Sequence, residues 1–534
     1  MLEIRPARSG QLTARVGGAY LHSPYDPEAE ARRFAESALT GACPATVLLL
    51  GAELGHAGSA ILRICPGARL LPVYYDAELA AHGPPGWSPA GGEALLEFLR
   101  RALPDADGLA VLEWPASARL FPQASQEARR QTVQLLRELR GGLATTAAVG
   151  RRWLRNCLDN FLGIERVLCA TPPPSPLPIL IAASGPSLQA ALPALDRLRE
   201  RFALWALPSA VECLLAHGLI PDLVVLTDPG WYGLAHLFSL RTADTPLAMP
   251  LSAAPGGWTL RGGVQLLAQE ALYEQALLAA AAYPAPIVPP QGTVAATAME
   301  LALRRTPRQV IFAGLDLCFQ DMLGHARPNL FERTLENRSD RLQPLHHRRF
   351  AWAQAQAPRR LRGSGRTGLA LETYAGWFAS RSAHMRLYRL LPSEVPLPGF
   401  QALDLPGFGR LLEHLDPAEP SRQRLVRPPA ALPAQPGYPD RPHRLRLLRD
   451  LLEDWQRRTR LLGSRIAAAG DPARLKADPL AASLAGHFDA ARLADCRRAL
   501  RTRGPQAAAA VAAALLEDLG RFLAERRERL EDRP

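Results

Sequence analysis

Apolar and helical segments alternate along the middle of the chain, and this alternation limits the fold more than any other feature. Four short apolar runs are typical of buried strands: residues 178–183, 202–207, 222–227 and 309–313. Strands that alternate with helices form parallel sheets with right-handed crossover connections. The sequence therefore predicts an α/β fold whose central domain, residues 178–390, contains a Rossmann-like parallel sheet.

Small polar residues follow these strands, at the edge where parallel sheets bind ligands. The segment Ser184-Gly185-Pro186-Ser187, called here the 184–187 turn, follows the first strand and precedes a helix from Leu188; Ser209 follows the second strand. Gly185 lets the backbone approach a ligand closely. Ser187 is expected to cap the helix, with its hydroxyl and nearby N–H groups facing outward, which predicts an anion site. An ordinary capped turn is the alternative interpretation.

Two aspartates, Asp228 and Asp316, each follow a strand. Carboxylates at a sheet edge hold Mg²⁺ against phosphates or bind sugar hydroxyls, so Asp228 is a candidate metal ligand and Mg²⁺ a candidate cofactor. Either carboxylate could instead cap the next helix. His325, on the loop after Asp316, is a candidate general acid or base, and the alternative is a structural or solvated histidine. Gly292 and Thr293 are expected to begin a further helix.

Arginine supplies almost all of the positive charge. The chain has 63 Lys and Arg against 51 Asp and Glu, a net charge of +12, and Lys476 is its only lysine. A phosphate-loop lysine or a Schiff-base lysine is therefore excluded from the central domain, and any phosphate must be bound by backbone N–H groups, hydroxyls or arginines. The arginines are spread along helices beside acids, which favours solvated helix faces over a nucleic-acid interface.

The N-terminal part predicts a lead-in segment, residues 1–40, and a second, smaller Rossmann-like domain, residues 41–145. Two strand-like runs flank a helix-like run in the order that is typical of a dinucleotide or S-adenosylmethionine site. Ala52 and Glu53 occupy the middle of the glycine pattern, which makes that pattern defective, and a carboxylate there would repel phosphate. A structural unit without a cofactor is therefore favoured over a working cofactor site.

The cysteines and the apolar runs indicate a compartment. Seven scattered cysteines do not form a disulfide framework, and this favours a reducing environment. The first residues lack the apolar region of a secretory signal, and no apolar run reaches the ~20 residues that span a bilayer. A cytoplasmic protein without a membrane span is expected.

The remaining segments are predicted from composition and periodicity. Residues 146–177 read as a helix and a proline-rich linker, 391–442 as a Pro/Arg-rich linker, and 443–534 as a helical accessory or oligomerisation region. Gly363-Ser364-Gly365-Arg366-Thr367-Gly368 reads as a flexible loop, with Arg366 available to an anion. A mobile lid is one use for such a loop.

Several motifs together resemble the Maf (motility-associated factor) glycosyltransferase family, and the resemblance covers most of residues 20–390. The motifs that carry it are IAASGPSL at 181–188, GLIPD at 218–222, TDP at 227–229, GTVA at 292–295, GLDL at 314–317 with His325-Ala326, and upstream LHSPYDP at 21–27 with Asn156 and Asn160. The central domain is also similar to the MptE-like domain of archaeal 6-hydroxymethylpterin diphosphokinase, and its turn to that of bacterial sialyltransferases. Ser184 departs from the family pattern, where glycine is frequent.

The resemblance implies an activity and roles for the site residues. The implied reaction moves a nonulosonic (sialic-like) acid from a CMP-linked donor to a protein hydroxyl, with flagellin as the acceptor. By this resemblance, Ser184, Gly185, Pro186, Ser187 and Leu188 would hold the nucleotide phosphate. Ser209 and Asp228 would face the donor, Gly292 and Thr293 would belong to the nucleotide site, and Asp316 and His325 would lie near the reacting centre.

Two other functions stay open on the same residues. A Mg²⁺-dependent diphosphokinase would use Asp228 or Asp316 as metal ligands and act on 6-hydroxymethylpterin or a similar small molecule. A non-catalytic motility-associated protein could keep the fold without the activity. The long regions on both sides of the central domain favour the transferase over the kinase.

Overall fold

The structure is a computed structural model, and it divides the chain into two compact units, Met1–Ala144 and Thr145–Pro534. It describes residues 2–41, 43–103, 106, 108–241, 243–256, 260–289, 292–361, 363–381, 386–414 and 433–531. The second unit contains the segments that the sequence divided into a linker, a central domain and a C-terminal region. Among the described helices, none has the length and apolar character that a membrane crossing requires.

The first unit contains two small sheets and six helices within its described residues. An antiparallel sheet is formed by β1 (Leu2–Pro6), β2 (Leu12–Val16) and β3 (Ala19–Tyr20). A parallel sheet of order β5-β4-β6 is formed by β4 (Thr46–Leu50), β5 (Arg69–Val73) and β6 (Leu109–Glu113). The helices are α1 (Pro27–Ala38), α2 (His56–Ile64), α3 (Ala77–Ala80), α4 (Leu95–Ala102), α5 (Pro115–Leu120) and the start of α6 (Pro122–Gly163).

One disulfide bond connects Cys43 and Cys65 in this unit. The prediction that the scattered cysteines do not form a disulfide framework did not anticipate this pair. A separation of 22 residues is not a recognised cysteine spacing, and the two thiols meet because Cys65 ends α2 beside the segment that leads into β4. The other five cysteines are free thiols.

The second unit is built on a parallel sheet of eight described strands. Its strands are β7 (Ile179–Ala182), β8 (Ala203–Ala206), β9 (Leu223–Val225), β10 (Leu247–Pro250), β11 (Val264–Leu267), β12 (Val310–Ala313), β16 (Leu387–Leu390) and β17 (Gln401–Leu403). They lie in the order β11-β10-β9-β8-β7-β12-β16-β17. The four predicted strands correspond to β7, β8, β9 and β12, so the predicted parallel sheet is confirmed, and four further strands extend it on both sides.

Helices cover this sheet and continue into the C-terminal region. Around the sheet are α7 (Leu188–Arg197), α8 (Val211–Ala216), α9 (Trp231–Ala235), α10 (Leu272–Ala280), α11 (Val294–Arg305), α12 (Leu330–Asn337), α13 (Leu345–Gln356), α14 (Leu369–Arg381) and α15 (Leu405–His414). The C-terminal helices are α16 (Arg441–Ala469), α17 (Pro479–Phe488), α18 (Ala490–Arg503) and α19 (Pro505–Glu531). Part of the predicted Pro/Arg-rich linker, residues 415–432, lies outside the described residues.

The C-terminal helices share the core of the sheet. Trp455 of α16 and Leu515 of α19 belong to the same buried cluster as Leu180 of β7. Arg444, only 1% exposed, donates to the carbonyls of Phe161 and Leu162 at the end of α6, at 2.8 and 3.0 Å. This integration differs from the predicted separate accessory region, and a role in oligomerisation stays a prediction.

A small antiparallel sheet lies beyond β12, with order β13-β15-β14. Its strands are β13 (Phe319–Gln320), β14 (Arg359–Arg360) and β15 (Gly365–Thr367). Arg366 is 5% exposed and donates to the carbonyls of Ala357 and Pro358 and to the side chain of Gln354. The prediction of a loop that offers Arg366 to an anion was therefore wrong, because its guanidinium is buried among these acceptors.

Candidate functional site

The 184–187 turn lies where the strand order reverses direction. From β7 the chain adds β8, β9, β10 and β11 on one side, and β12, β16 and β17 on the other. In open parallel sheets, ligands bind in the crevice beyond such a reversal point. The carboxyl ends of β7 and β12 therefore mark the first place to look for a site.

Glycine at 185 is required by the close packing of this turn. The Gly185 N–H donates to the carbonyl of Gly314 at 2.8 Å, which joins the turns after β7 and β12. A Cβ at residue 185 would lie 2.5 Å from both the Gly314 carbonyl oxygen and Oδ2 of Asp316. Gly185 thus allows the turn to pack closely against Gly314 and Asp316, whereas the sequence predicted that it allows close approach of a ligand.

Asp316 holds the same turn from the other side. It is 2% exposed, and its Oδ2 accepts from the Ser187 N–H at 2.8 Å while its Oδ1 accepts from the Ser187 hydroxyl at 2.5 Å. Burial raises the pKa of Asp316, and the bonds from Ser187 and the charge of Arg389 oppose this rise. Both carboxylate oxygens are committed to Ser187, so the geometry favours a positioning role over the predicted contact with reacting atoms.

The expected outward cap at Ser187 was wrong. The Ser187 side chain makes no capping hydrogen bond to α7, because its hydroxyl is turned inward to Asp316. The next N–H groups are also used within the turn: Leu188 donates to Gly185 at 3.0 Å and Gln189 to Pro186 at 3.2 Å. The Leu188 side chain is fully buried. These bonds weaken the case for a phosphate held by the backbone of this turn.

Two hydroxyls remain half-buried at this edge of the sheet. The Ser209 hydroxyl, after β8, donates to Ser184 Oγ at 2.8 Å, and Ser184 Oγ keeps its own hydrogen to donate. Pro186 is half-buried beside them. The predicted residues Ser184 and Ser209 are therefore brought together, and the Ser184 hydroxyl is the group of the turn that is best placed to donate to a ligand oxygen.

His325 is joined to the turn through its neighbour. The Ala326 N–H donates to the Ser184 carbonyl at 2.6 Å, so the loop after β12 is tied to the loop after β7. Burial, and secondly the charge of His236, lower the pKa of His325 to about 4. The imidazole is consequently neutral near pH 7, and its unprotonated nitrogen can accept a hydrogen bond from a hydroxyl group.

Asp228 forms its hydrogen bond within its own loop, after β9. It is exposed, and its Oδ1 accepts from the Gly230 N–H at 2.6 Å. Among the residues that the structure describes, no three His, Cys, Asp or Glu side chains are grouped as metal ligands. Because both oxygens of Asp316 are bound to Ser187, the donor set does not fit a Mg²⁺ ion shared by the two aspartates.

Two functional candidates near Asp228 were missed from the sequence. Arg152 of α6 is exposed, and its guanidinium lies 3.6 Å from the position of a Cβ at Gly230, which places a cation beside the loop after β9. His236, at the end of α9, is 6% exposed. Neither residue belongs to a motif. His236 is identified by its closeness to Asp228 in the sequence, and Arg152 by its closeness to Gly230 in the fold.

The start of α11 matches its predicted position. Thr293 is the N-cap of this helix, and its hydroxyl accepts from the Ala295 N–H at 3.2 Å. Gly292 is exposed with a φ of +74°, a left-handed conformation that glycine adopts without strain. Thr293 is therefore a capping residue, and its assignment to a nucleotide site stays a prediction.

Buried amides of α6 hold the loops after β9 and β10. Asn156 donates to the carbonyls of Pro229 and Ser252, both at 3.1 Å. Asn160 donates to those of Leu251 and Ala253 at 2.7 and 2.9 Å. The two asparagines, which the sequence placed one turn apart, thus fix the backbone on one side of the candidate site.

The phosphate position of the N-terminal Rossmann-like sheet is occupied by the protein itself. Glu53, after β4, is 1% exposed and accepts from the Tyr75 N–H at 2.6 Å and from the Ser117 hydroxyl at 3.0 Å. A Cβ at Gly51 would lie 2.5 Å from the Ser117 Cβ. This packing agrees with a structural unit in which Glu53 fills the turn.

Glu53→Gln should change the pH dependence of stability in this unit. Burial raises the pKa of Glu53 to about 7, although bonds from Tyr75 and Ser117 oppose the rise. The fold therefore favours the protonated acid, and its contribution to stability falls as pH rises from about 4.5 to about 7. Glutamine does not titrate. The free energy of unfolding of the variant, relative to that of the wild-type protein, should therefore rise by about 2 kcal/mol between pH 5 and pH 8.

Urea unfolding at both pH values measures this gain. Glutamine can donate to Ser117 Oγ, whose own hydrogen then bonds the Gly51 carbonyl 3.0 Å away. An equal difference in unfolding free energy at pH 5 and pH 8 would mean that Glu53 is ionised throughout the range.

Comparison with known proteins places this geometry among related folds. Residues 154–322 match the family model described as "6-hydroxymethylpterin diphosphokinase MptE-like". The matched range contains β7, β8, β9 and β12 with the turns that follow them. The sequence-based resemblance to an MptE-like domain is therefore confirmed for this part of the chain.

The fold as a whole is similar to a solved Maf protein. The structure titled "Structure of MAf glycosyltransferase from Magnetospirillum magneticum AMB-1" aligns with a TM-score of 0.60 and 13% sequence identity, over 100% of this chain and 93% of that chain. At this identity the likeness shows the fold, and it supports the Maf resemblance that was inferred from the motifs.

A relative from a spirochaete shares part of the sequence. It is a protein of Treponema pallidum (strain Nichols) described as uncharacterized, and it is 26% identical over 293 residues. The alignment covers 54% of this chain and 61% of that protein. This relative therefore adds no activity to the comparison.

Proposed function

We propose that this chain is a Maf-like glycosyltransferase. It moves a nonulosonic acid from a CMP-activated donor to a protein hydroxyl, with flagellin as the acceptor. The observation that carries the proposal is the junction at the strand-order reversal, where Ser209 is bonded to Ser184 and the loop that carries His325 is tied to Ser184 through Ala326. The full-length likeness to a MAf glycosyltransferase supports this choice over a kinase, whose family model matches residues 154–322.

The residues of this junction suit the chemistry of glycosyl transfer. The bond between the anomeric carbon and the phosphate oxygen breaks, and the electron pair leaves with the CMP phosphate. A new bond forms from the acceptor oxygen to the anomeric carbon. Ser184 would donate to the departing phosphate while the hydrogen bond from Ser209 holds the Ser184 hydroxyl in place, and neutral His325 would accept the acceptor's proton. Asp316 would act at a distance by holding the turn that carries Ser184.

A thermal-shift screen tests the proposal. The purified protein is heated with CMP, CMP-sialic acid, UDP-sugars, ATP or pterins, each with and without Mg²⁺. A ligand at tenfold excess over its Kd stabilises by ~1.4 kcal/mol, which should raise the melting temperature by a degree or more. We expect cytidine ligands to raise it without Mg²⁺. A shift confined to ATP or pterin with Mg²⁺ would indicate the diphosphokinase instead, and no shift with any ligand a non-catalytic protein.

Ser209→Ala gives the matching variant test. If its hydroxyl holds Ser184 in the orientation that donates to the donor phosphate, the loss should weaken CMP binding about fivefold to tenfold, because a hydrogen bond contributes about 0.5–1.5 kcal/mol. Ser464→Ala, on the exposed face of α16, is the control. Equal CMP affinities in the two variants, measured by calorimetry, would remove Ser209 from the site.

A further inference from the structure

Five rings form a cluster between the loops that follow β9 and β12. They are called here the histidine–aromatic cluster: Tyr232, His236, His325, Phe331 and Trp352. Phe331 lies at the centre, with ring centroids 5.6 Å from Tyr232, 4.9 Å from His236 and 4.8 Å from His325. Trp352 stacks on His325 at 6.0 Å with an interplanar angle of 16°. Tyr232 is 43% exposed, so the cluster reaches the surface.

Both histidines in this cluster carry a buried nitrogen that lacks a partner. Within the described residues, Nδ1 of His236 and Nδ1 of His325 accept or donate no hydrogen bond. Buried polar atoms are paired in nearly all native structures, and leaving one unpaired costs about 1–3 kcal/mol. Two such atoms, in rings that both contact Phe331, are candidates for the polar contacts of a ligand.

The charges around the cluster describe that ligand. Burial is the main reason why the pKa of each histidine falls to about 4. The positive charge of Arg333 also lowers the pKa of His236, and His236 lowers that of His325. Arg333 is itself paired with Glu212 at 2.7 Å. A neutral imidazole offers one N–H donor and one nitrogen acceptor, and a hydroxyl group can pair with either. Aromatic faces beside a few placed polar groups are typical of sites for ring-shaped ligands.

We propose that the histidine–aromatic cluster binds the hydroxylated sugar ring of the donor, with its hydroxyls bonded to Nδ1 of His236 and of His325. The inference rests on the proposed function and adds the part of the donor that the 184–187 turn does not reach. His325 is linked to that turn through Ala326, and His236 lies at the end of α9, the helix that follows Asp228. His236 is thus assigned as a sugar-binding residue.

The test compares two ligands that differ by the sugar. Calorimetry gives the Kd for CMP and for CMP-N-acetylneuraminic acid, and the ratio reports the contribution of the sugar. His236→Phe keeps a ring of similar size and removes the nitrogen. We expect CMP affinity to be unchanged, CMP-N-acetylneuraminic acid affinity to fall about tenfold, and the melting temperature to hold or rise, because an unpaired polar atom is removed.

His236→Asn and His217→Phe complete the experiment. Asparagine restores a polar group near the position of Nδ1 and should recover part of the sugar contribution. His217 is an exposed histidine after α8 and is the control. If His236→Phe leaves the ratio of the two Kd values unchanged, the assignment of His236 is overturned. Binding of CMP in the same experiment would still support the transferase. If the wild-type protein binds neither CMP nor CMP-N-acetylneuraminic acid, the proposed function is overturned, and the assignment of the sugar site with it.

Discussion

Replacing Arg444 with leucine should lower the free energy of unfolding of the second unit by about 3–4 kcal/mol. Its guanidinium donates to the carbonyls of Phe161 and Leu162, and to that of Pro439 at 2.7 Å. Leucine would leave these carbonyls without their donor in a buried place, and would remove a positive charge from the end of α6, where the helix dipole favours one. Urea unfolding followed by far-UV circular dichroism measures the loss.

Two variants make this result specific. Arg446→Leu changes an exposed arginine two residues away on α16 and should alter stability by less than about 0.5 kcal/mol. Arg444→Lys keeps the charge but cannot reach three carbonyls from one ammonium group, so an intermediate loss is expected. If leucine at residue 444 proves as stable as arginine, the cost of burying the guanidinium equals the value of its bonds.

Asp316→Ala should cost about 3 kcal/mol, whereas Asp316→Asn should cost about 1 kcal/mol. Alanine leaves the Ser187 N–H and hydroxyl buried without acceptors and opens a cavity beside Gly185. Asparagine can replace both bonds, because its oxygen accepts from the Ser187 N–H and its amide donates to Ser187 Oγ. Part of its cost is the lost charge opposite the buried Arg389.

The same pair separates positioning from chemistry at this residue. If Asp316 acts by holding the 184–187 turn, Asp316→Asn should keep CMP affinity and transfer within a few-fold, and Asp316→Ala should lose both. Asp321→Asn, at an exposed position five residues on, is the control. Abolished transfer in a stable Asp316→Asn protein would restore the catalytic role that the sequence first predicted for this carboxylate.

The sequence predicted the sheet well because local patterns determine it. Apolar runs of five or six residues followed by small polar residues identified β7, β8, β9 and β12, and the sheet places their carboxyl ends together. β16 was not predicted, since Tyr388 and Arg389 interrupt its apolar pattern. Arg389 is nevertheless buried, where it donates to the carbonyl of Val395 at 2.7 Å.

Long-range contacts account for what the sequence did not predict. The direction of the Ser187 hydroxyl is decided by Asp316, 129 residues later, and no local capping rule includes that partner. His236 lies in a segment without a motif, and it becomes a candidate once Phe331 brings it beside His325. The Cys43–Cys65 bond depends in the same way on where the end of α2 lies.

The asparagines of α6 bear on how this domain could be cut or transplanted. Proline-rich composition suggests a cut near residue 178, and a fragment that begins there would lose Asn156 and Asn160. Four carbonyls of the loops after β9 and β10 would then lack their donors. The smallest portion of this unit that keeps these contacts therefore starts upstream, inside α6. The boundary that the proline-rich sequence suggests is not the boundary of the folded unit.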